Sequence, residues 1–311
     1  MTSLICGSVA FDTIMSFEGR FAEALLADQL HKINVAFLVP ALRREFGGCA
    51  GNIAYNLKLL GGDPLIMATI GQDGAPYLAR LAKQEISIRC IREVADAFTA
   101  QAFITTDAAN NQITAFHPGA MTVSHRVKVA EAGDVKVAII APDGRDGMLQ
   151  HATECADLKI PFIFDPGQGL PMFSGAELLH FIDLATYVAV NDYEASLLTE
   201  RTGLTIEQLA RKVDALVVTR GENGAEIYYS GNRIDIPVVP AAQIIDPTGC
   251  GDAFRAGMLF GLTQGMDWPT IGRLASLMGS IKIAHQGGQN HVVSQADIRS
   301  RFAQAFGYAL P

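Results

Sequence analysis

Short apolar runs alternate with amphipathic segments along most of the chain, and this alternation limits the possible folds more than any other feature. The apolar runs lie at residues 4–6, 65–70, 135–141, 162–164, 187–190 and 216–219. Runs of this kind indicate strands that are buried on both faces, as in a parallel sheet covered by helices. The amphipathic segments lie at residues 52–60, 76–84, 192–201 and 206–213. The pattern predicts an α/β fold with a doubly wound, mostly parallel central sheet flanked by helices.

Two stretches depart from this alternation. In the first, residues 14–46, apolar side chains come near a period of two at Leu30, Ile33, Val35, Phe37 and Val39. In the second, residues 99–106 and 112–117 are predicted strands joined by the polar turn 107–111, which makes a hairpin. We expect these stretches, about 14–46 and 98–117, to form a small β-rich lid over one end of the sheet. The whole chain, residues 1–311, is then a single domain.

Composition and charge exclude several classes of protein. The chain is 49% hydrophobic and only 18% charged, which predicts a large core. Its net charge is −8 and Lys and Arg do not cluster, so we expect no nucleic-acid partner. No apolar stretch approaches the roughly 18 residues of a membrane span, and no signal peptide pattern is visible. Five scattered cysteines without a C-x-x-C pair favour a reducing, cytoplasmic location.

The stretch Asp-Pro-Thr-Gly-Cys-Gly-Asp at 246–252 carries the strongest chemical signal. It lies between an extended run at 234–239 and a helical pattern at 252–264. Glycines at the start of a helix expose successive backbone N–H groups, which together with the helix dipole make an anion site. A carboxylate at Asp252 could accept a proton from a hydroxyl there, and phosphoryl transfer needs little more than positioning, charge neutralisation and a base. Alternatively, Asp252 simply caps the helix.

A second glycine-rich stretch at 47–52 also opens a helical pattern. Taken alone it is weak, because Gly-Gly often precedes a helix. Asn52 could be a surface residue and Asp12 an ordinary turn residue. No G-x-x-x-x-G-K-[ST] occurs, and no G-x-G-x-x-G follows the first strand. A P-loop kinase and a dinucleotide-dependent dehydrogenase are therefore disfavoured.

Four segments, in this order, resemble the signatures of the ribokinase-like (PfkB) carbohydrate and nucleoside kinase family. They are Gly47-Gly48 with Asn52 and Ala54, Asn191-Asp192-Tyr193-Glu194, residues 218–224, and residues 246–254. The resemblance extends over essentially the whole chain. Residues 5–12, 30–39 and 112–121 are similar to bacterial adenosine kinases, and residues 110–114 and 164–168 to archaeal nucleoside kinases of broader specificity.

The resemblance implies roles for individual residues. Asp12, Gly48 and Asn52 would hold the ribose hydroxyls of a nucleoside, with Ser8 beside them. Phe116 would stack on the base, although it could instead be a core aromatic of the hairpin. Gly249, Cys250 and Gly251 would present N–H groups beside the general base Asp252. The residues implied for ATP are Gln168, Asn191, Thr219, Arg220, Gly221, Glu222, Asn223 and Gly224, and Glu194 would reach Mg²⁺ through water.

The implied function is that of an ATP- and Mg²⁺-dependent nucleoside kinase, with adenosine expected as the acceptor and AMP as the product. A monovalent cation such as K⁺ and a homodimer formed through the lid are further expectations. The alternatives are a nucleoside kinase of broad specificity, a sugar kinase for ribose or fructose, and a nucleoside-binding protein without activity. Ala36 and Ala102 stand where bacterial adenosine kinases often carry a hydroxyl and an aromatic side chain, which weakens the expectation of strict adenosine selectivity.

Cys250 departs from the family pattern, which usually has a small aliphatic residue at this position. One hypothesis is that the helix dipole lowers the pKa of its thiol and makes it oxidisable. The favoured interpretation is an inert small residue, because the backbone N–H is the working group.

Overall fold

A large and a small sheet organise the computed structural model, which describes residues 1–25, 34–109 and 111–311. The strands are β1 Thr2–Cys6, β2 Ala10–Ser16, β3 Ala41–Gly47, β4 Asp63–Gly71, β5 Ser87–Val94, β6 Ala100–Thr106, β7 Gln112–His117, β8 Val137–Ile140, β9 Phe162–Phe164, β10 Tyr187–Asn191, β11 Ala215–Thr219, β12 Ala225–Tyr229 and β13 Asn232–Ile236. The helices are α1 Phe21–Ala24, α2 Cys49–Leu59, α3 Ala75–Lys83, α4 Arg145–Asp157, α5 Gly175–Leu184, α6 Asp192–Thr202, α7 Ile206–Ala210, α8 Cys250–Gln264, α9 Trp268–Ile283 and α10 Gln295–Phe306.

The large sheet has nine strands in the order β13-β12-β11-β10-β9-β8-β1-β4-β5. Its pairings from β11 to β5 are all parallel, whereas β12 runs antiparallel to both of its neighbours, β11 and β13. Side chains of β1 alternate between two hydrophobic cores: Ile5 belongs to one, and Leu4 and Cys6 belong to the other. Helices α2, α3, α8, α9 and α10 cover the first core, and α4, α5 and α6 cover the second. The prediction of a doubly wound, mostly parallel sheet is confirmed.

The small sheet has four strands in the order β3-β2-β6-β7. The predicted hairpin is present as the antiparallel pair β6 and β7, and Asp107 fixes its turn by accepting the N–H groups of Ala109 and Asn111. Side chains of β7 are exposed along its whole length. The small β-rich unit that the sequence predicts is thus found, while its exact lid boundaries at 14–46 and 98–117 stay a prediction.

The alternating apolar residues before β3 do not form a strand where the structure describes them. Residues 34–39 have no regular structure, and Leu30 and Ile33 lie outside the described residues. Phe37 instead packs on Phe17 and Phe21, with ring centroids 4.9 and 5.1 Å away. The period of two had suggested that Phe37 lies in a strand. It is instead part of an aromatic cluster.

The parallel strands end at one edge of the large sheet. Gly7 and Ser8 follow β1, Asp165 follows β9, and Asn191 and Thr219 are the last residues of β10 and β11. Loops at the carboxyl ends of the strands in such open sheets are the usual place for ligands. In the part of the chain that the structure describes, no helix has the length and apolar character to cross a bilayer.

Candidate active site

The start of α8 forms an open cup of backbone N–H groups. Gly249 adopts φ +78°, a left-handed conformation that favours glycine, and so turns the chain into the helix. The N–H of Cys250 donates to the carbonyl of Pro247 at 3.1 Å, whereas those of Gly249, Gly251 and Asp252 have no partner among the described residues. A Cβ at Gly251 would meet no heavy atom within 4 Å. Unpaired donors beside open space suit an anion.

Asp252 lies in the first turn of α8, but its carboxylate does not cap the helix. Gly249 is the N-cap residue and no side chain caps α8, so the alternative of Asp252 as a simple cap is wrong. Its Oδ2 accepts a hydrogen bond from Asn52 Nδ2 at 2.8 Å. Burial raises the pKa of Asp252 to about 7, the hydrogen bond from Asn52 opposes this rise, and the negative charge of Asp165 adds to it. A carboxylate with a pKa near neutrality is suited to general-base catalysis.

The start of α2 lies opposite this cup but is closed. Gly48 adopts φ +84°, and a Cβ there would lie 2.6 Å from the carbonyl oxygen of Ser8. That carbonyl accepts the N–H of Ala50 at 2.9 Å, and Ser8 Oγ accepts the N–H of Cys49 at 3.2 Å. The predicted substrate residues Ser8 and Gly48 therefore lie together. Both the carbonyl and the hydroxyl oxygen of Ser8 already accept a hydrogen bond from α2.

Asn52 connects the two helix starts. It is 5% exposed, and its Oδ1 accepts a hydrogen bond from Gln289 Nε2 at 3.1 Å. The same Gln289 nitrogen donates to the Tyr77 hydroxyl at 2.9 Å. Because both ends of the amide are held, the orientation of Asn52 beside Asp252 is fixed. The residue pattern did not predict that Gln289 and Tyr77 lie beside Asn52. The Gly287-Gly288 pair before Gln289 could have indicated a close approach of the backbone there.

Asp12 stands on β2 opposite Glu45 of β3. Burial, together with the smaller effects of the Glu45 and Asp246 carboxylates, raises its pKa to about 6. Among the described residues no hydrogen-bond donor reaches its carboxylate, and a Cβ at Gly47 would lie 2.4 Å from Oδ2. Asp12 is thus a half-buried acceptor on the small sheet without an internal partner.

Phe116 lies on β7, where it pairs with Ala102 across the hairpin. It is 53% exposed, so the alternative of a core aromatic is wrong. Its role in stacking on a base stays a prediction.

A buried ion pair lies behind Asp252. Arg255 Nη2 is 3.1 Å from Asp165 Oδ1, and the two residues are 4% and 5% exposed. Arg255 Nε and Nη1 have no partner within the described ranges. Its positive charge lowers the pKa of Asp252, while burial remains the dominant influence. Arg255 was also missed; it follows Asp252 by three positions in an otherwise apolar helix, and that spacing places both on one face.

The residues implied for ATP lie at the ends of neighbouring strands. Asn191 and Thr219 are paired in the register of β10 and β11. After β11 the chain makes a 3₁₀ turn at Gly221–Asn223, whose three residues are exposed, and then reaches Gly224. Arg220 Nη1 is held by Glu226 Oε1 at 2.8 Å. Gln168 is exposed in a separate turn after β9.

Glu194 serves as part of the cap of α6. Its Oε2 accepts the N–H of Asn191 at 2.8 Å and its Oε1 accepts Asn191 Nδ2 at 2.9 Å. Within the described ranges, no three His, Cys, Asp or Glu residues come together as a metal site. The donor set fits Mg²⁺ that keeps its waters and is held mainly by substrate phosphates, which is the usual binding mode of this ion.

Cys250 does not behave as the reactive thiol of the oxidation hypothesis. Burial raises the pKa of its thiol to about 11, and the positive charge of Lys282 only partly offsets this. The predicted lowering of the pKa is therefore wrong, because loss of hydration raises it and the nearby carboxylates of Asp246 and Asp252 add to the rise.

Comparison with known proteins places the chain in a family. The model of the pfkB family carbohydrate kinases matches residues 19–295. A nucleoside kinase of Methanocaldococcus jannaschii is 30% identical over 296 residues, which cover 94% of each chain. The structure of Burkholderia thailandensis nucleoside kinase in complex with inosine superimposes with a TM-score of 0.90 at 56% identity, covering 99% of both chains. The same enzyme is also known with ADP and inosine bound, at 57% identity.

These matches agree with the mostly parallel sheet flanked by helices and with the additional smaller sheet. The chain belongs to the pfkB family of carbohydrate kinases and is a phosphotransferase that acts on an alcohol group.

Proposed function

We propose that the protein transfers the γ-phosphoryl group of ATP to the 5′-hydroxyl of adenosine, with Asp252 as the general base. The observation that carries the proposal is the Asp252 carboxylate, held by Asn52 beside the unpaired N–H groups of Gly249 and Gly251. The 5′-oxygen attacks the γ-phosphorus, its proton passes to Asp252, and the bond from the γ-phosphorus to the β,γ-bridging oxygen breaks, so that ADP leaves. The N–H groups neutralise the charge that develops on the phosphoryl oxygens. The inosine-bound relative from B. thailandensis supports a nucleoside as the acceptor.

The acceptor side is built from Asp12, Asn52 and the backbone at Gly48. A carboxylate and an amide suit a vicinal diol, because both are directional acceptors and the amide also donates. Asp12 has no internal donor among the described residues and can accept two hydroxyls. Phe116 is exposed on the small sheet, and we assign it to the base. Closure of the small sheet would cover the bound nucleoside and exclude water, which could otherwise accept the phosphoryl group.

The nucleotide side is assigned to the strand ends. Asn191 and the turn after Thr219 would hold ATP, with Gln168 at its margin. The fixed Asn191 and Glu194 pair would orient water around Mg²⁺, which supplies positive charge to the phosphates when bound.

A nucleoside kinase of broad specificity is the second candidate, because a relative of 56% identity binds inosine and Ala102, opposite Phe116, leaves room beside the base. ATP consumption with adenosine, inosine, cytidine, ribose and fructose as acceptors separates the candidates. We expect the highest kcat/KM with adenosine and no useful rate with either sugar. Equal values for adenosine and inosine would favour the broad enzyme, and preference for a sugar would reject both.

We also propose that the protein is cytoplasmic, because all five cysteines are free thiols.

We further propose a homodimer formed through the small sheet. Large apolar side chains are exposed on its strands and on the loop before β6, namely Phe98, Phe103, Ile113 and Phe116. Light scattering at several protein concentrations measures the mass, and a monomer throughout would reject the dimer.

A further inference from the structure

A buried lysine lies directly behind the anion cup. Lys282, in the last turn of α9, is 0% exposed. Its Nζ donates hydrogen bonds to the carbonyl oxygens of Asp246 at 2.7 Å and His285 at 3.0 Å. An ammonium group at the carboxyl end of a helix also complements the helix dipole.

These two carbonyls belong to the two chain segments that build the rear of the cup. Asp246 opens the turn that leads to Gly249, and its carboxylate accepts the N–H of Thr248 at 2.9 Å and that of Gly287 at 2.8 Å. A Cβ at Gly249 would lie 3.2 Å from the Cα of Gly288. The lysine and Asp246 thus tie the turn before α8 to the segment after α9, and the cup rests on both.

The charge of this group is costly to bury. Burial lowers the pKa of Lys282, whereas the carboxylates of Asp246 and Asp252 act to raise it. A methionine would fill a similar volume without losing the hydration of an ion. Packing alone therefore gives no reason for a lysine here, and the nearby carboxylates indicate that its charge is used.

The expectation of a monovalent cation such as K⁺ does not fit this arrangement. Backbone carbonyl oxygens are the ligands with which proteins replace the hydration shell of K⁺. Behind the cup, the carbonyls of Asp246 and His285 already accept hydrogen bonds from the lysine. The ammonium group of Lys282 therefore already contacts the carbonyl oxygens that a free K⁺ ion would need as ligands.

We propose that Lys282 is a positioning residue for phosphoryl transfer, whose fixed ammonium group braces the anion cup and makes the enzyme independent of monovalent cations. It holds the carbonyls of Asp246 and His285 and places positive charge behind the N–H groups that face the phosphoryl group. The inference rests on the proposed kinase activity but not on the identity of the nucleoside.

The first test uses the unaltered enzyme. Turnover is measured with MgCl₂ and the Tris salt of ATP, using the best acceptor of the panel, at an ionic strength of about 0.15 M. Tetramethylammonium chloride, whose cation is too large to be bound by carbonyls, is compared with KCl. We expect kcat to differ by less than about twofold. Absence of turnover in both salts would reject the proposed function, whereas turnover that requires KCl would overturn the inference alone.

The second test separates charge from shape. Lys282→Met keeps the length of the side chain and removes the charge, and Lys282→Arg keeps the charge in a larger side chain. Lys83→Met is the matched control, because Lys83 also lies in the last turn of a helix but is exposed.

We expect Lys282→Met to lose at least about tenfold in kcat with a smaller change in the KM for ATP, and Lys282→Arg to retain more activity than Lys282→Met. Lys83→Met should match the unaltered enzyme. Equal losses in the two Lys282 variants, or higher activity of the methionine variant, would show that shape rather than charge matters and would overturn the proposal. If Lys282→Met does not fold, the comparison of salts still decides.

Discussion

The starts of α2 and α8 look alike in sequence but differ in whether their backbone N–H groups have hydrogen-bond partners. Each begins after a glycine of positive φ, +84° at Gly48 and +78° at Gly249. At α2, the carbonyl and hydroxyl of Ser8 take the N–H groups of Ala50 and Cys49. At α8, the N–H groups of residues 251 and 252 find no partner among the described residues. The same local signal thus gives paired N–H groups at one helix and unpaired N–H groups at the other, and the neighbouring chain segments decide which.

Asn52 makes the two starts into one site. It is part of α2, yet its Nδ2 donates to Asp252 of α8, 200 positions later in the chain. The closed start holds Asn52 in place, and the open start supplies Asp252, the proposed base.

Replacement of the base should have the largest effect. Asp252→Asn keeps the size of the side chain but cannot accept a proton, so we expect kcat to fall by at least about 100-fold with little change in ATP binding. Steady-state kinetics and calorimetric titration with ATP measure the two quantities. Asp146→Asn is the control, an Asp in the first turn of α4 that is far from the cup in sequence and exposed. Near-normal turnover of Asp252→Asn would reject the assignment of the base.

Activity should depend on pH through the same group. Burial raises the pKa of Asp252 to about 7. If its ionised form is the base, kcat/KM should fall about tenfold per pH unit below that value. The Asn52 hydrogen bond lowers this pKa, so Asn52→Ala should move the acid limb to higher pH. A profile of kcat/KM that stays flat between pH 5.5 and 8 would contradict the prediction.

The raised pKa also has a consequence for folding. The folded protein holds this proton more tightly than the unfolded chain, where the ordinary value is 3.8. The contribution of Asp252 to the free energy of unfolding is therefore fully present below the ordinary value and is lost as the pH rises through about 7.

A methyl group in the open cup should affect activity but not folding. Gly251→Ala places a Cβ where no heavy atom lies within 4 Å, in the space assigned to the phosphoryl group. We expect at least about a tenfold loss of kcat/KM without a loss in the free energy of unfolding. Gly279→Ala is the control, because a Cβ at this helical glycine would meet only one atom, at 3.7 Å. Destabilisation by Gly251→Ala would mean that the cup is filled from within.

A substitution at the closed start of α2 should have the opposite effect, lowering the free energy of unfolding but not the activity. Ser8→Ala removes the acceptor of the Cys49 N–H, so we expect a loss of about 1 kcal/mol in the free energy of unfolding and little change in kcat. Ser294→Ala, at the N-cap of α10, should cost a similar amount. Urea unfolding of both variants gives the values. A large rise in the KM for adenosine in Ser8→Ala alone would instead place its hydroxyl on the ribose.

The fold was largely predictable because its signals are local. Apolar runs with a length of four to seven residues correspond to central strands such as β4 and β10, and the polar turn at 107–111 corresponds to a real hairpin. The same logic failed for Val35 to Val39, where the described residues form no strand. Periodicity records which side chains avoid water, but not whether they do so in a sheet or in an aromatic cluster.

The candidate site was predictable only in part. Asp252 and the two glycine-rich stretches were found from residue type and spacing. Lys282, Arg255 and Gln289 were not, because each acts through a partner that is distant in sequence, as Gln289 does through Asn52. The effect of burial on Cys250 was also wrongly predicted, since hydration depends on all the chain segments that pack around a thiol.

The strand and helix pattern, the glycines at the starts of α2 and α8, and the acid group of Asp252 can all be read from the order of residues. Which helix start is open, which amide contacts the Asp252 carboxylate, and which buried cation lies behind it depend on how distant segments pack. The reason is that backbone conformation depends on neighbouring residues in the chain, whereas hydrogen-bond occupancy and loss of hydration depend on groups brought together by folding.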